Sequence, residues 1–411
     1  MTRNNKPHIE PKTGNGGFFY GKQVRLGIIG VGNMGLGHIK NAVQGKMPEI
    51  TIPCVADIDE KKFDKVKEYL PDVVCFPTAE ALIDSGLCDA VLIATPHYFH
   101  PPIAIYALQK GIHVMSEKPA GVYTKQVREL IDVAKKSSAT YAIMFNQRTN
   151  CVYRAVHDLV QSGVYGEMRR VSWIITDWFR TQQYYNSGGW RATWSGEGGG
   201  VMLNQCPHQL DLWQWICGMP ETIRAFCHVG KWHEIEVEDD VTIYATYPNG
   251  ATGTFITSTG DCPGTNRLEI SLDKAKILCE NDTRTGTYDV WVYELETGTQ
   301  EYIRTAADGF SKPKGAWKKI ETDGQNPQHP GVLNAFAAHI LRGEPLVASG
   351  EEGIRGLTIS NAAFLSSWLD KTVTLPIDED LFYKMLEDRI QNSTFVKTVN
   401  EQVQGDMSST Y

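Results

Sequence analysis

The chain has no long hydrophobic run, no block of basic residues and no paired cysteine motif. None of its apolar runs approaches the roughly 18 consecutive residues of a membrane span, which argues against an integral membrane protein. Lys and Arg number 40 against 48 Asp and Glu, so the net charge is −8. This balance excludes a general nucleic-acid binder. Residues 1–23 lack the apolar core of a signal peptide and predict a flexible arm.

The nine cysteines are scattered and odd in number, with no C-x-x-C pair among them. This usage argues against a disulfide framework and is typical of reduced, mostly buried thiols. A cytoplasmic protein is therefore predicted. His228 and His233, near Glu234 and Glu236, fit no common zinc spacing. A polar strand end is the better interpretation, and we predict no metal.

The length of 411 residues and 42% hydrophobic content indicate two ordinary globular domains. Residues 24–148 alternate strand-like and helix-like segments, which predicts an α/β domain with a parallel, doubly wound sheet. Residues 149–377 carry many alternating stretches, including Glu301–Arg304, with helices between them. They predict an α+β domain with an open, mostly antiparallel sheet and helices on one face. Residues 378–411 form a charged tail.

The strand-like run that begins at Val24 leads directly into the pattern G-x-G-x-x-G. In that pattern Gly30 permits a tight turn, Gly32 lets the backbone approach a pyrophosphate, and Gly35 lets the following helix pack on the strand. Asp57 ends a second strand-like run 22 positions after Gly35, close to the roughly 20 expected for an acid that holds a ribose hydroxyl. No Arg follows within the next residues, so NAD is favoured over NADP.

Two further motifs follow predicted strands, at the edge of the sheet where ligands bind in this architecture. Thr95-Pro96-His97 follows the fourth strand, and Glu117-Lys118-Pro119 follows the fifth. At the rim of the cofactor crevice, the Lys118 ammonium can hydrogen-bond a substrate hydroxyl and stabilise developing charge on its oxygen.

The second half of the chain offers a candidate base on a predicted helix. His208 and Asp211 are three positions apart and are neighbours on a helix. Asn204 lies four positions before His208, although Pro207 can begin a new helix between them. A histidine is suited to remove a hydroxyl proton near neutral pH.

The glycine motif, Thr95-Pro96 with His100, Glu117-Lys118-Pro119 and the Gly-Gly-Gly stretch before His208 and Asp211 resemble the Gfo/Idh/MocA oxidoreductase family. The resemblance covers roughly residues 24–370. It implies a Rossmann domain followed by a sheet domain that binds a sugar or cyclitol. It also implies that Lys118 and His208 are the catalytic residues, and it places Asn204 where an aspartate is frequent.

The candidate site residues fall into three groups. The expected catalytic residues are Lys118, His208 and Asn204. The expected cofactor-binding residues are Gly30, Gly32, Asn33, Met34, Gly35, Asp57, Thr95, Pro96, His97, His100, Glu117 and Lys118. The expected substrate-binding residues are Asn146, Arg148, Trp178, Arg180, Tyr185, Trp190, Arg191, Asn204 and Asp211. Several of these lie in an aromatic loop, where rings can stack on apolar sugar faces.

These observations predict an NAD-dependent oxidoreductase that acts on a secondary alcohol of a sugar, glycoside or cyclitol, C3 of a glucoside being one candidate position. One alternative is a hydrolase that oxidises C3 of a glycoside transiently, eliminates the aglycone and then reduces the product. A second is a non-catalytic sugar sensor that binds NAD. The expected partners are a small-molecule substrate and further copies of the chain, as a homodimer or homotetramer, with neither nucleic acid nor membrane.

Overall fold

The computed structural model describes residues 22–399. Most of the predicted N-terminal arm and the last twelve residues of the predicted tail lie outside these described residues. Within them, no helix combines the length and the apolar character needed to cross a membrane.

The first half of the chain forms a six-stranded sheet with helices between its strands. Its elements are β1 (Val24–Ile29), α1 (Asn33–Val43), β2 (Ile50–Ala56), α2 (Lys62–Lys67), β3 (Val74–Phe76), α3 (Ala79–Asp84), β4 (Ala90–Ile93), α4 (His100–Gln109), β5 (His113–Ser116), α5 (Thr124–Ala134) and β6 (Tyr141–Ile143). The strand order is β3-β2-β1-β4-β5-β6, and every pair is parallel. The predicted doubly wound Rossmann sheet is confirmed.

The strand order brings the carboxyl ends of β1, β4 and β5 together. The backbone N–H of Ala94 donates to the carbonyl of Ile29 at 2.8 Å, and that of Glu117 donates to the carbonyl of Ile93 at 2.9 Å. The segments that follow these three strands therefore share one edge of the sheet. This is the edge at which ligands bind in open α/β sheets.

The second half forms a nine-stranded sheet with helices. Its elements are α6 (Cys151–Gln161), β7 (Met168–Ile175), α7 (Gln182–Asn186), α8 (Val201–Asn204), α9 (Pro207–Cys217), β8 (Thr222–Val229), β9 (Glu238–Thr246), β10 (Thr252–Ser258), β11 (Asn266–Leu272), β12 (Ala275–Asp282), β13 (Thr287–Leu295), α10 (Thr299–Thr305), β14 (Gly315–Lys319), α11 (Gln328–Arg342), α12 (Gly353–Leu369), β15 (Val373–Thr374) and α13 (Glu379–Gln391).

The strand order of this sheet is β14-β13-β12-β11-β7-β10-β9-β8-β15. Only the central pair of β7 and β10 is parallel among its described pairs, so the predicted mostly antiparallel sheet is confirmed. Helices cover its inner face, where Trp213 of α9 stacks on Phe255 of β10 with ring centroids 5.3 Å apart. Side chains alternate between this buried face and an outer face because of the two-residue strand period.

Three features differ from the sequence predictions. Residues 301–304 belong to helix α10 rather than to a strand. Four alternating residues fit one helical turn as well as a strand, and Asp273 caps this turn by accepting from the backbone N–H of Gln300. Residues 379–391 form helix α13, which buries Phe382 and Leu386, so the charged tail begins with a packed helix. Helix α11 packs into the core of the first sheet through Leu333 and Phe336, although it lies far along the chain.

Candidate active site

The loop between β1 and α1 forms an open cradle at the N-terminus of that helix. Gly30 has φ +91°, and a Cβ there would lie 2.6 Å from the Ala94 carbonyl oxygen, whereas a Cβ on Gly32 would meet nothing within 4 Å. The first turn of α1, which includes Asn33 and Met34, has no side-chain cap and no acidic residue. The helix dipole favours an anion at such a position. The residues present therefore fit a dinucleotide pyrophosphate.

Asp57 lies at the carboxyl end of β2, beside this cradle, and is buried. Its carboxylate accepts hydrogen bonds from the backbone N–H groups of Val31 and Asp59, each at 2.9 Å. The Lys62 ammonium donates to both carboxylate oxygens at 3.0 and 3.1 Å. The Lys62 ammonium therefore lies at the predicted ribose site. This cation was not predicted from the sequence, in which only an Arg was considered.

The segment after β4 connects the two domains at the crevice. Thr95 and Pro96 lead into a 3-10 turn at His97–Phe99. The His97 Nδ1 atom faces the Glu197 carbonyl of the second domain at 3.0 Å. The His100 ring nitrogens face the carbonyls of Pro119 and Thr95 at 2.8 and 2.7 Å. His100 thus joins the two predicted motifs to each other and has no ring nitrogen left for a ligand.

Glu117 pairs with a histidine that sequence reasoning missed. Its carboxylate lies 2.8 Å from Nε2 of His38, and both side chains are buried. Burial opposes ionisation, but the His38 hydrogen bond, with the charges of His38, His329 and Lys118, lowers the pKa of Glu117 to about 2. A signal for His38 existed, because it follows Gly35 by three positions and shares the helix face that packs on the sheet.

Lys118 is held in the crevice by the second domain. Its Nζ atom donates to the backbone carbonyl of Asn204 at 3.1 Å. An ammonium has three donors, and no other acceptor lies within hydrogen-bond distance among residues 22–399. Burial lowers the pKa of Lys118, with Arg191 and Arg180 adding to the effect and Glu117 opposing it. Two N–H donors therefore remain for a substrate oxygen.

His208 is a buried histidine with both ring nitrogens available for a ligand. It is 3% exposed, and neither ring nitrogen has a hydrogen-bond partner within the described part of the chain. Burial lowers the pKa of His208 far below its usual range, and the nearby Lys118 and His329 lower it further. The imidazole is therefore neutral at neutral pH and presents a free lone pair to whatever enters the crevice.

Asn204 does not orient His208. Helix α8 ends at Asn204 and α9 begins at Pro207, so the spacing of four residues does not span one helix. The Asn204 Nδ2 group donates instead to the carboxylate of Glu197, a buried residue that sequence reasoning missed. Asn204 therefore contacts Glu197 and Lys118, whereas its spacing of four residues in the sequence places it beside His208.

Arg148 and Asp211 hold each other rather than a ligand. The Arg148 guanidinium donates to both Asp211 oxygens at 2.8 and 2.7 Å, and to Glu352 at 2.6 Å. Burial opposes its charge, but the two carboxylates raise the pKa of Arg148. Both are expected from the sequence to bind substrate, and in the structure their charged groups pair with each other. Asn146, close by, donates to Gln328 and leaves its buried Oδ1 unpartnered within residues 22–399.

The aromatic loop divides into a packed part and a part that faces the crevice. Tyr185 is buried, and its hydroxyl lies 2.8 Å from that of Thr259, so it is a core residue rather than the predicted substrate contact. Trp178 is also buried. Trp190 remains partly exposed and meets the His97 ring edge-on at 5.3 Å.

The two predicted arginines of this loop flank one tyrosine. The guanidinium of Arg191 lies 4.6 Å from the Tyr184 ring centroid and that of Arg180 lies 5.2 Å from it. The Tyr184 hydroxyl also accepts from Gln205 at 2.9 Å, next to Asn204 in the chain. The arginines and Trp190 thus remain candidates for substrate contact.

Two family models match successive parts of the chain. Residues 24–145 match a model described as an oxidoreductase family with an NAD-binding Rossmann fold. Residues 153–278 match a model described as the GFO/IDH/MocA C-terminal domain. The two matched regions are separated by residues 146–152, which follow β6, the last strand of the first sheet.

Curated relatives extend this match. The chain is 27% identical to the rhizopine catabolism protein MocA of Rhizobium meliloti over 48% of this chain and 58% of that protein. It is 22% identical to the myo-inositol 2-dehydrogenase of Thermotoga maritima over 83% of this chain and 95% of that protein. The chain spans about half the length of several other curated relatives.

Among solved structures, the WlbA dehydrogenase of Bordetella pertussis, in complex with NADH and UDP-GlcNAcA, has a TM-score of 0.70. The two chains are 22% identical, and the likeness covers 87% of this chain and 100% of that one. At this identity, the likeness shows a shared fold.

Proposed function

Because the chain belongs to the Gfo/Idh/MocA oxidoreductase family and carries its NAD-binding Rossmann domain, we propose that it oxidises a secondary alcohol of a sugar, glycoside or cyclitol. The observation that carries this proposal is the neutral, buried and unpartnered His208 in the crevice that also holds the Lys118 ammonium. The His208 ring can accept the proton of a substrate hydroxyl, and the free N–H groups of Lys118 can donate to the oxygen of the same hydroxyl.

In the proposed reaction, a substrate hydroxyl lies between these two side chains. His208 takes the hydroxyl proton, while Lys118 donates a hydrogen bond to the same oxygen and stabilises the charge that develops on it. NAD, when bound, supplies the acceptor for the hydride that leaves the carbinol carbon. The carbinol becomes a ketone, the proton remains on His208, and the two electrons leave with the hydride.

Incubation with NAD and a panel of cyclitols, free sugars and glycosides tests this proposal. Product mass spectrometry, combined with absorbance of NADH, reports the substrate and the type of reaction together. Formation of a ketone with an equal amount of NADH supports the dehydrogenase. Release of an aglycone without net NADH would instead identify the hydrolase, and binding without turnover would identify a sensor.

The pair of Asp57 and Lys62 leads to a prediction about cofactor choice. The wild-type chain should prefer NAD, because the Asp57 carboxylate accepts from a ribose hydroxyl and repels a 2′-phosphate. Asp57→Ala should leave Lys62 without its carboxylate and raise kcat/KM for NADP by about tenfold, as expected for one hydrogen bond between charged groups. Steady-state kinetics with both cofactors measures this change.

Asp57→Ala/Lys62→Ala is the matched control. It should lose the gain in NADP use, since the cation that would meet the phosphate is gone. Equal NADP use by the single and double variants would contradict the role of Lys62, and equal use of both cofactors by the wild type would contradict that of Asp57.

We also propose that the outer face of the nine-stranded sheet packs against a second copy of the chain, in a homodimer or homotetramer. Large side chains on this face are exposed in the single chain, among them Ile174, Phe226, Tyr244 and Trp291. Light scattering should report a dimer or tetramer at micromolar concentration. Ile174→Glu/Tyr244→Glu should lower the measured mass to that of one chain, because charges would be buried at the interface. A monomeric wild type would contradict this assembly.

A further inference from the structure

The buried carboxylate of Glu197 accepts a hydrogen bond from the side chain of Asn204. The Glu197 side chain is 1% exposed. One of its oxygens accepts from the backbone N–H of Ala192 at 2.6 Å, and the other accepts from the Asn204 side chain. Arg191 approaches it to 4.0 Å. Both oxygens are therefore occupied by protein donors, and the residue is fixed in place.

Helix α8 is too short to fix its own ends, since it contains only four residues and a single helical turn is unstable alone. Buried glutamates hold it at both ends. At its beginning, the Glu238 carboxylate accepts from the backbone N–H groups of Gly200 and Met202 at 2.7 and 3.0 Å. At its other end, Glu197 holds the side chain of Asn204. The position of the last carbonyl of α8 therefore depends on Glu197.

That carbonyl is the acceptor for Lys118. Asn204 therefore links the two residues: its side-chain amide donates to the Glu197 carboxylate, and its backbone carbonyl accepts from Lys118 Nζ. We propose that Glu197 is a positioning residue for Lys118, which acts by fixing Asn204. The proposal rests on the proposed function only for the role that Lys118 has in turnover.

A carboxylate in the interior is unfavourable unless its partners compensate for lost hydration. Burial raises the pKa of Glu197, while Arg191, the Ala192 N–H, the Asn204 amide and the Lys397 ammonium oppose that rise. This arrangement defines what the variants should do. Glu197→Ala removes the anchor. Asn204→Asp places two carboxylates against each other, so that both can stay in place only while they share a proton. Glu197→Gln/Asn204→Asp reverses the polarity of the pair and keeps its total charge.

The first test measures the reactivity of the Lys118 amine toward acetylation, and it requires no substrate. The folded, full-length protein is treated with acetic anhydride over a range of pH, and acetylation of Lys118 is followed by peptide mass spectrometry. Glu197→Ala should increase the rate at a fixed pH by about tenfold, because the Lys118 ammonium loses an acceptor that stabilised its charge. Asn204→Asp should approach the wild-type rate at low pH and depart from it as the pH rises. The double variant should return to the wild-type profile.

Turnover provides the second readout, with the substrate found in the panel. Glu197→Ala should lower kcat and leave the dissociation constant of NADH unchanged, and the double variant should recover most of the kcat that Asn204→Asp loses. Glu236→Ala is the matched control, because Glu236 accepts from the backbone N–H of Trp194 at 2.8 Å in the same loop and does not contact Asn204. It should leave Lys118 acetylation unchanged.

Two outcomes would overturn the proposal: Glu197→Ala matching Glu236→Ala in Lys118 acetylation, or a double variant no better than Asn204→Asp. Should Glu197→Ala not fold, the comparison of Asn204→Asp with the double variant still decides. If the wild type oxidises nothing in the panel, the proposed function fails, and the acetylation profiles alone decide the role of Glu197.

Discussion

Replacement of His208 by alanine is expected to lower kcat by at least about two orders of magnitude, which is the typical contribution of a general base. The variant should still bind NAD, since His208 belongs to α9 of the second domain and not to the glycine loop between β1 and α1. Lys118→Ala should lose a similar factor, because it removes the ammonium that would stabilise the charge developing on the substrate oxygen. Stopped-flow and steady-state kinetics, with NAD affinity from fluorescence titration, separate the two effects.

The pH dependence adds an independent check on His208. A base acts in its unprotonated form, and burial lowers the pKa of His208 far below 6.5, so kcat/KM should stay level as the pH falls through that value. Lys118→Met removes a cation that lowers this pKa, and the acid limb of the remaining activity should move to higher pH. His228→Ala, at an exposed strand end, is the matched control and should leave the pH profile of kcat/KM unchanged. Near-normal turnover by His208→Ala would place the base elsewhere.

The second large effect concerns stability rather than chemistry. Asp211→Asn should lower the free energy of unfolding by about 3 kcal/mol, the lower end of the range for a broken buried ion pair, because Arg148 loses its bidentate acceptor and keeps Glu352 as its remaining carboxylate. Both side chains are almost fully buried, at 3% and 1% exposure. Urea unfolding followed by circular dichroism measures this loss.

Asp323→Asn is the matched control, because Asp323 makes a similar pair with Arg154 at the surface. Exposed pairs contribute at most about 1 kcal/mol, so this variant should be nearly neutral. If Asp211→Asn were as mild as the control but raised KM strongly, Asp211 would bind substrate, as the sequence pattern predicts.

Local patterns account for what could be predicted. Gly30, Gly32 and Gly35 follow an apolar run without interruption, and Asp57 and Lys118 each lie at the carboxyl end of a predicted strand. Parallel strands end at one edge of a sheet, so the positions of these residues in the fold follow from their positions in the chain. The Rossmann sheet follows from the alternation of strand-like and helix-like segments, and the second, mostly antiparallel sheet follows from stretches of alternating residues.

Contacts between distant segments account for what was missed. Arg148 and Asp211 are 63 residues apart, and nothing in either segment alone indicates that they pair. Tyr185 belongs to a loop that contains both buried and exposed aromatic rings, and the sequence of the loop does not distinguish them. The hydrogen bond that holds Tyr185 in the core is made to Thr259, 74 residues away. Lys62 is only five residues from Asp57 in the chain. It begins α2, and its side chain points back toward Asp57 because of the conformation of the loop between them, which the sequence pattern does not give.

Helix α11 has a consequence for the construction of chimeras. Its residues Val332, Leu333, Phe336 and Ala337 belong to the same core as Leu26 and Ile28 of β1, so the first domain is built from two separate stretches of the chain. A hybrid enzyme that takes residues 24–148 from one relative and everything after them from another would join mismatched halves of that core. Transfer of residues 328–348 with the first stretch should preserve it. The natural unit of exchange is therefore discontinuous in the gene, and recombination at a single crossover would not recover it.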